Sequence, residues 1–283
     1  MPNRHARVEQ RSAHDSLQWP TCRQREQNWG ARHMETNTYG LVERRMTRVV
    51  LSAVFSRPLR TTYFLLARAL KEVQMISPFR RFAIPNYGLA FGPSQLHFMC
   101  RCLDETREVE GRVAEIGCDN GRTTIYLCAY LFDSGNDKRY VAMDTFSGFV
   151  REDVDFEKER RGKKAPFADQ FRNNKKKWYD LTMKANNITR VESIQGDVNM
   201  YDLTSLGPLS FVLLDVDLYR PMRKALPELY RALSPGGIMI ADDCNPENSW
   251  WDGAYYAYTE FMQSIGQPAE IVHGKLGVIR KLK

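Results

Sequence analysis

The stretch Val113-Ala-Glu-Ile-Gly-Cys-Asp-Asn-Gly121 reads as a buried strand that runs into a glycine turn, with a helix opening at Arg122-Thr123-Thr124. Two later stretches, Phe211-Val-Leu-Leu-Asp-Val-Asp-Leu-Tyr219 and Pro235-Gly-Gly-Ile-Met-Ile-Ala-Asp-Asp243, put acids at the ends of two further apolar strands. In an open α/β sheet such strand ends converge on one crevice, where ligands bind. The pattern predicts a nucleotide-type cofactor beside a carboxylate-bound cation.

Outward from these stretches the chain alternates strand and helix. Strands are expected over 112–116, 139–143 (ending at Asp144), 191–195 (closed by Gly196-Asp197), 210–214 and 238–241. Helices are expected over 123–132, from about 167 or 171 to 186, and over 221–233. Ser94 is the expected N-cap of a helix through Leu103. Residues 270–273 and 276–280 resemble an antiparallel pair around a Gly274-Lys275 turn. Repeated βα units closed by a terminal hairpin predict a mostly parallel sheet with helices on both faces.

Before this core, residues 1–45 are polar and rich in Arg and Gln, and read as a disordered basic extension. Residues 46–90 read as a helical appendage, with 61–73 its clearest helix, and 91–283 as the main domain. Apolar residues of the appendage alternate with Arg48, Arg57, Arg60, Arg68 and Lys71, a pattern that suits peripheral membrane contact or packing on the domain or on a second subunit. The apolar run 49–55 is far shorter than the about 20 residues a bilayer requires. With no secretory signal at the polar N-terminus, the cytoplasm is the expected location. The net charge of +7 suits an anionic partner, but no nucleic-acid motif accompanies it, so nucleic acid is disfavoured. The six cysteines form no CxxC pair and read as buried free thiols in a reducing compartment.

The glycine turn lets the backbone approach a ligand, and the helix beyond it offers free N–H groups. Gly117 and Gly121 are spaced GxxxG with Glu115 two residues earlier, unlike the GxGxxG of dinucleotide sites. An acid inside a strand needs a partner, either a ligand's ammonium group or a backbone N–H. Asp144 stands where an acid commonly accepts both hydroxyls of a ribose, or caps the loop at Thr145 and Ser147. Asp197 fits either the edge of an adenine ring or ordinary turn chemistry. With Asp119, Thr123, Thr145 and Ser147, these residues make up the candidate cofactor set.

Asp215, Asp217, Asp242 and Asp243 are expected within a few ångströms of one another. Clustered carboxylates repel unless a cation or protons neutralise them, and hard oxygen ligands suit Mg2+ or Mn2+. The plainer reading is of solvated acids on loops. Trp250 and Trp251 are expected to line an acceptor pocket, with Tyr255 and Tyr258 assigned either to it or to a helix face. The charged stretch 151–164 reads as a lid or as a solvated insertion.

Over roughly 91–281 the chain resembles the macrocin/mycinamicin-type sugar O-methyltransferases, within the class I S-adenosylmethionine-dependent methyltransferases. The motifs that carry the resemblance are 115–121, 144–148, Asp215-Val-Asp-Leu-Tyr219 and Ser234-Pro-Gly-Gly237 leading to Asp242-Asp243. The resemblance implies a Rossmann-like three-layer sandwich with a seven-stranded sheet, S-adenosylmethionine as methyl donor, and Mg2+ on Asp215, Asp242 and Asp243. Glu115, Gly117 and Gly121 would then surround the methionine part of the cofactor, and Asp144 would hold its ribose. Two departures stand out: Val216 replaces a glycine frequent in the family, and no counterpart of the catechol O-methyltransferase lysine follows Asp215. The expected reaction is methyl transfer to a hydroxyl of a sugar or glycosylated metabolite, with Asp217 or Asp215 as base. A catechol-like enzyme for phenols and a non-catalytic nucleotide-binding module are the alternatives. A homo-oligomer is a further expectation.

Overall fold

The computed structural model describes residues 57–78, 80, 84, 87–164, 168–248 and 252–282. The expectations for the tail (1–45) and for Trp250 and Trp251 lie outside the described residues. The chain divides into two units, Met1–Gln74 and Met75–Lys283. In the first, the described residues belong to helix α1, Arg57–Ile76, which contains the helix expected over 61–73. Among the described residues, no helix is long and apolar enough to cross a membrane.

The second unit is built on a seven-stranded sheet: β1 Arg112–Ile116, β2 Tyr140–Asp144, β3 Val191–Gln195, β4 Leu209–Leu214, β5 Leu233–Ala241, β6 Glu270–Val272 and β7 Leu276–Arg280. The strand order is β3-β2-β1-β4-β5-β7-β6. Strands β1 to β5 pair in parallel, and β7 runs antiparallel to both β5 and β6. This is the class I methyltransferase Rossmann-like sandwich. The helices are α2 Pro93–Glu105, α3 Arg122–Asp133, α4 Arg151–Arg161, α5 Lys176–Ala185, α6 Tyr219–Ala232 and α7 Asp252–Ser264.

Period-two alternation along the strands sorts the core into two layers. Ala114, Ile116, Val212, Leu214, Met239 and Ala241 pack with α6 and α7. Val113, Phe211, Leu213, Ile238 and Ile240 pack on the other face with α2, α3 and α5. Tyr258 belongs to the first layer: it is fully buried, and its hydroxyl lies 2.8 Å from the Glu270 carbonyl and 3.0 Å from that of Val278. It is a core pillar rather than a pocket residue.

Some local expectations shift. Gly92, not Ser94, caps α2, because Pro93 takes the first helical position, and Gln95 accepts the Gly92 N–H at 2.8 Å. Helix α5 starts at Lys176, later than the pattern suggested. Cys100, Cys102, Cys118, Cys128 and Cys244 are all free and buried.

The sheet positions the functional residues through hydrogen bonds that continue past the strands. Gly117 N–H donates to the Met143 carbonyl, Asp215 N–H to that of Ile116, and Asp242 N–H to that of Leu214, each at 2.8 Å. The ends of β2, β1, β4 and β5 are thereby held side by side. Gly117 is essential to this arrangement: its φ is +90°, and a Cβ there would lie 1.7 Å from the Asp215 carbonyl oxygen. Gly135 (φ +66°) has nothing within 4 Å of the same added atom. Gly117→Ala should therefore abolish folding or cost more than about 4 kcal/mol, and Gly135→Ala about 1 kcal/mol. Urea denaturation measures both, and equal losses would refute the packing argument.

Candidate active site

The ends of β1, β2, β3, β4 and β5 open into one cavity of about 750 Å³. Of the residues expected to bind cofactor, Glu115, Gly117, Asp119, Thr123, Asp144, Thr145 and Asp197 line it. Asp215, Asp217, Asp242 and Asp243 line the same cavity, with Lys275 beside them.

Two candidates are not among the lining residues. A Cβ on Gly121 would meet Met183 at 2.5 Å and the Tyr179 ring at 2.9 Å. With φ at +85°, that glycine serves the entry into α3 and its packing against α5. Ser147 is exposed, and its N–H donates to the Thr145 hydroxyl at 3.3 Å.

Glu115 already has protein partners. Its Oε2 accepts the Thr124 hydroxyl at 2.6 Å and the Tyr140 hydroxyl at 2.7 Å, and Tyr179 donates in turn to Thr124 at 3.1 Å. The acid inside the strand is thus satisfied by a chain of hydroxyls rather than by a backbone N–H. Burial pushes its carboxyl up to about 7, against the pull of those two hydroxyls.

Asp144 is held by the loops around it. Its Oδ2 accepts the Asp119 N–H at 2.8 Å, and its Oδ1 the Phe146 N–H at 2.6 Å. A carboxylate has about four acceptor sites, so a fixed orientation leaves capacity for ligand hydroxyls. Asp197 closes its own turn by accepting the Asn199 N–H at 2.8 Å, while still lining the cavity.

The four acids beyond β4 and β5 are crowded. Asp242 is only 4% exposed, and its Oδ1 has no hydrogen-bond partner. Burial and the charges of Asp242, Asp217 and Asp243 hold the Asp215 carboxyl well above the carboxylate range. Burial and Asp243, which is also its hydrogen-bond partner, do the same to Asp217. Burial raises Asp242 to about 6, opposed by the Lys275 ammonium. Asp119, Asp217 and Asp243, each just beyond a strand, have φ of 41°, 56° and 55°, a left-handed strain of the kind that gathers at functional sites.

Lys275 was not visible as a site residue in the sequence. Its Nζ lies 2.6 Å from Asp242 Oδ2 and 3.3 Å from Asp243 Oδ1. No local pattern signals this, because only the pairing of β7 with β5 brings residue 275 beside Asp242. Asp153 was also missed, hidden in the charged stretch 151–164. Residues 151–161 of that stretch form helix α4, with Asp153, Val154 and Glu157 buried on one face, so helical periodicity is the available signal. Asp153 lines the cavity and accepts the Asn199 side-chain amide at 2.8 Å. Glu157 accepts the Tyr219 N–H at 2.9 Å, and Arg161 joins it to Asp252. The expected lid is therefore a helix anchored to the starts of α6 and α7.

The donor chemistry of the acid cluster fits a hard divalent cation: oxygen ligands only, one of them buried without a partner. As the side chains stand, no group of three or more His, Cys, Asp or Glu among the described residues is arranged to hold a metal ion.

Residues 114–244 match the family model described as a methyltransferase domain. No curated protein matches the chain. Among solved structures, the O-methyltransferase NovP is 18% identical over 70% of this chain and 84% of its own, with a TM-score of 0.56. The calicheamicin methyltransferase CalS11 is 22% identical over 81% of this chain and 96% of its own, with a TM-score of 0.53. At these identities the likeness is one of fold. The matched domain and the observed sheet together define an S-adenosylmethionine-dependent methyltransferase.

The raised carboxyl of Glu115 has a consequence for stability. Between its ordinary value of 4.5 and about 7 the folded protein holds a proton that the unfolded chain releases. Stability contributed at this position therefore falls as pH rises through that window, by on the order of 3 kcal/mol. Glu115→Gln should remove this dependence. Denaturation of both proteins from about pH 5 to about pH 8 measures it, and parallel pH profiles would contradict the assignment.

Proposed function

We propose that the protein transfers the methyl group of S-adenosylmethionine to a hydroxyl of a sugar or glycosylated metabolite, assisted by Mg2+ held by Asp215, Asp242 and Asp243. The observation that carries this reading is that the glycine turn after β1 and the acids after β4 and β5 line one cavity. The motif Asp215-Val-Asp-Leu-Tyr219 and the pair Asp242-Asp243, which resemble the macrocin/mycinamicin-type enzymes, support the sugar over other acceptors.

Methyl transfer is an in-line displacement in which the carbon–sulfur bond breaks and its electron pair returns to sulfur, leaving S-adenosylhomocysteine. Positioning supplies most of the acceleration in such a reaction. The backbone at Gly117 and Asp119 and the fixed carboxylate of Asp144 orient the donor. A bound divalent cation supplies acidification of the acceptor hydroxyl. Asp217, one of the crowded acids, would take the hydroxyl proton as the new oxygen–carbon bond forms and pass it to solvent, once a cation on its neighbours offsets the charges that otherwise keep it protonated. Lys275 is no candidate base: burial works against its charge, but Asp242 and Asp243 outweigh burial and hold the ammonium protonated.

The test is an acceptor panel of sugar nucleotides, glycosylated metabolites and catechols, read by transfer of labelled methyl groups. Sugar hydroxyls should be methylated, and Asp217→Asn should lower turnover by about 100-fold or more while leaving S-adenosylhomocysteine affinity intact. Methylation of catechols alone would replace the sugar reading with the phenolic one. Cofactor binding without turnover on any acceptor would leave a binding module.

A further inference from the structure

Lys275 lies in the turn between β6 and β7, beside the end of β5, and its backbone is tied there. The Cys244 N–H, directly after Asp243, donates to the Lys275 carbonyl at 2.8 Å. The preceding turn is shaped by His273 and Gly274, with φ of 49° and 82°. The Gln95 side-chain amide donates to the His273 carbonyl at 3.0 Å, fixing the turn against α2. The ammonium group also lies over the Phe91 ring, 4.8 Å from its centre. The side chain is 25% exposed, and its route to the acids is fixed at both ends. Among the described residues it is the one cation in ion-pair contact with Asp242 or Asp243. On the same carboxylate, Asp242 Oδ1 is buried and has no hydrogen-bond partner.

We propose that Lys275 is the built-in counter-cation of the acid cluster, and that a divalent ion binds Asp242 and Asp243 only in competition with it. The inference rests on the reading of these acids as a cation site. A cation approaching them meets a positive charge already within hydrogen-bond distance of one carboxylate and close to the second. Like charges sharing the same ligands repel, so each weakens the hold of the other. The lysine also keeps the cluster tolerable when no ion is present, which makes folding independent of the metal. Divalent-ion affinity is then set by a residue that is not itself a ligand.

The test uses the full chain, treated with EDTA and titrated with Mn2+ while free Mn2+ is followed by electron paramagnetic resonance. Lys275→Met should bind Mn2+ at least about tenfold more tightly than the native protein, and Lys275→Arg should stay near it. Native protein should melt at the same temperature in EDTA and in low-micromolar Mn2+. A clear rise in its melting temperature under that condition would overturn the proposal even if Lys275→Met failed to fold. Equal Mn2+ affinity in the native protein and Lys275→Met would overturn it and leave the cation site standing. No Mn2+ binding in any variant, with S-adenosylhomocysteine still bound, would remove the cation site and this inference together.

Discussion

Four carboxylates on neighbouring strand ends against a single ammonium group is the imbalance around which this cavity is organised. The acids cannot separate, because Asp215 and Asp242 extend the hydrogen-bond ladder between β1, β4 and β5. Nor can all of them retreat into solvent, since Asp242 is buried and the other three line the cavity beside it. Protons, a lysine or a bound cation are the remaining ways to offset the repulsion. The protein keeps one lysine there and leaves one buried oxygen of Asp242 without a hydrogen-bond partner. An arrangement that stability alone had shaped would bury fewer charges, because unpaired buried charge is costly.

The other end of the cavity solves its buried acid differently. Glu115 sits within β1 and is satisfied by Tyr140 on β2 and Thr124 on α3, with Tyr179 on α5 completing the chain. Those hydroxyls bind the sheet to two of the helices that cover it. The same carboxylate forms part of the cavity floor. Packing and ligand chemistry therefore meet in one residue, and the cavity's shape is tied to the layer beneath it. Glu157 likewise couples α4 to the first turn of α6, immediately after the Asp215–Asp217 segment.

The strands were legible because apolar runs ended in residues with a clear chemical reason to stop. The expected bounds of β1, β3 and β7 coincide with the observed ones. Strand β5 begins at Leu233, before its expected start, because Ser234-Pro-Gly-Gly237 reads as a turn although its ends still meet neighbouring strands. The acids of the site were legible for the same reason as the strands: strand ends in a parallel sheet bring distant sequence positions together by rule. What stayed hidden depends on pairings that no local pattern encodes. The link between Lys275 and Asp242 spans more than thirty positions and depends on the antiparallel return of β7. Sequence alone does not separate a glycine needed for helix packing, as Gly121 is against Met183 and Tyr179, from one needed for a ligand.

Backbone strain marks the positions where fold and chemistry compete. Asp119, Asp217 and Asp243 follow β1, β4 and β5 respectively, and each is held at positive φ, where a side chain of this kind costs about 1 kcal/mol or more. Glycine would relieve that cost at each position but would remove the carboxylate. Three such acids at three adjacent strand ends is an arrangement that local preference opposes each time. It persists because the ladder bonds of the sheet over-determine the backbone just before each of them, so the loops inherit their direction from the strands. Rigid strands thus deliver side chains to places that flexible loops would leave, and the acid cluster with its lysine is the product of that constraint.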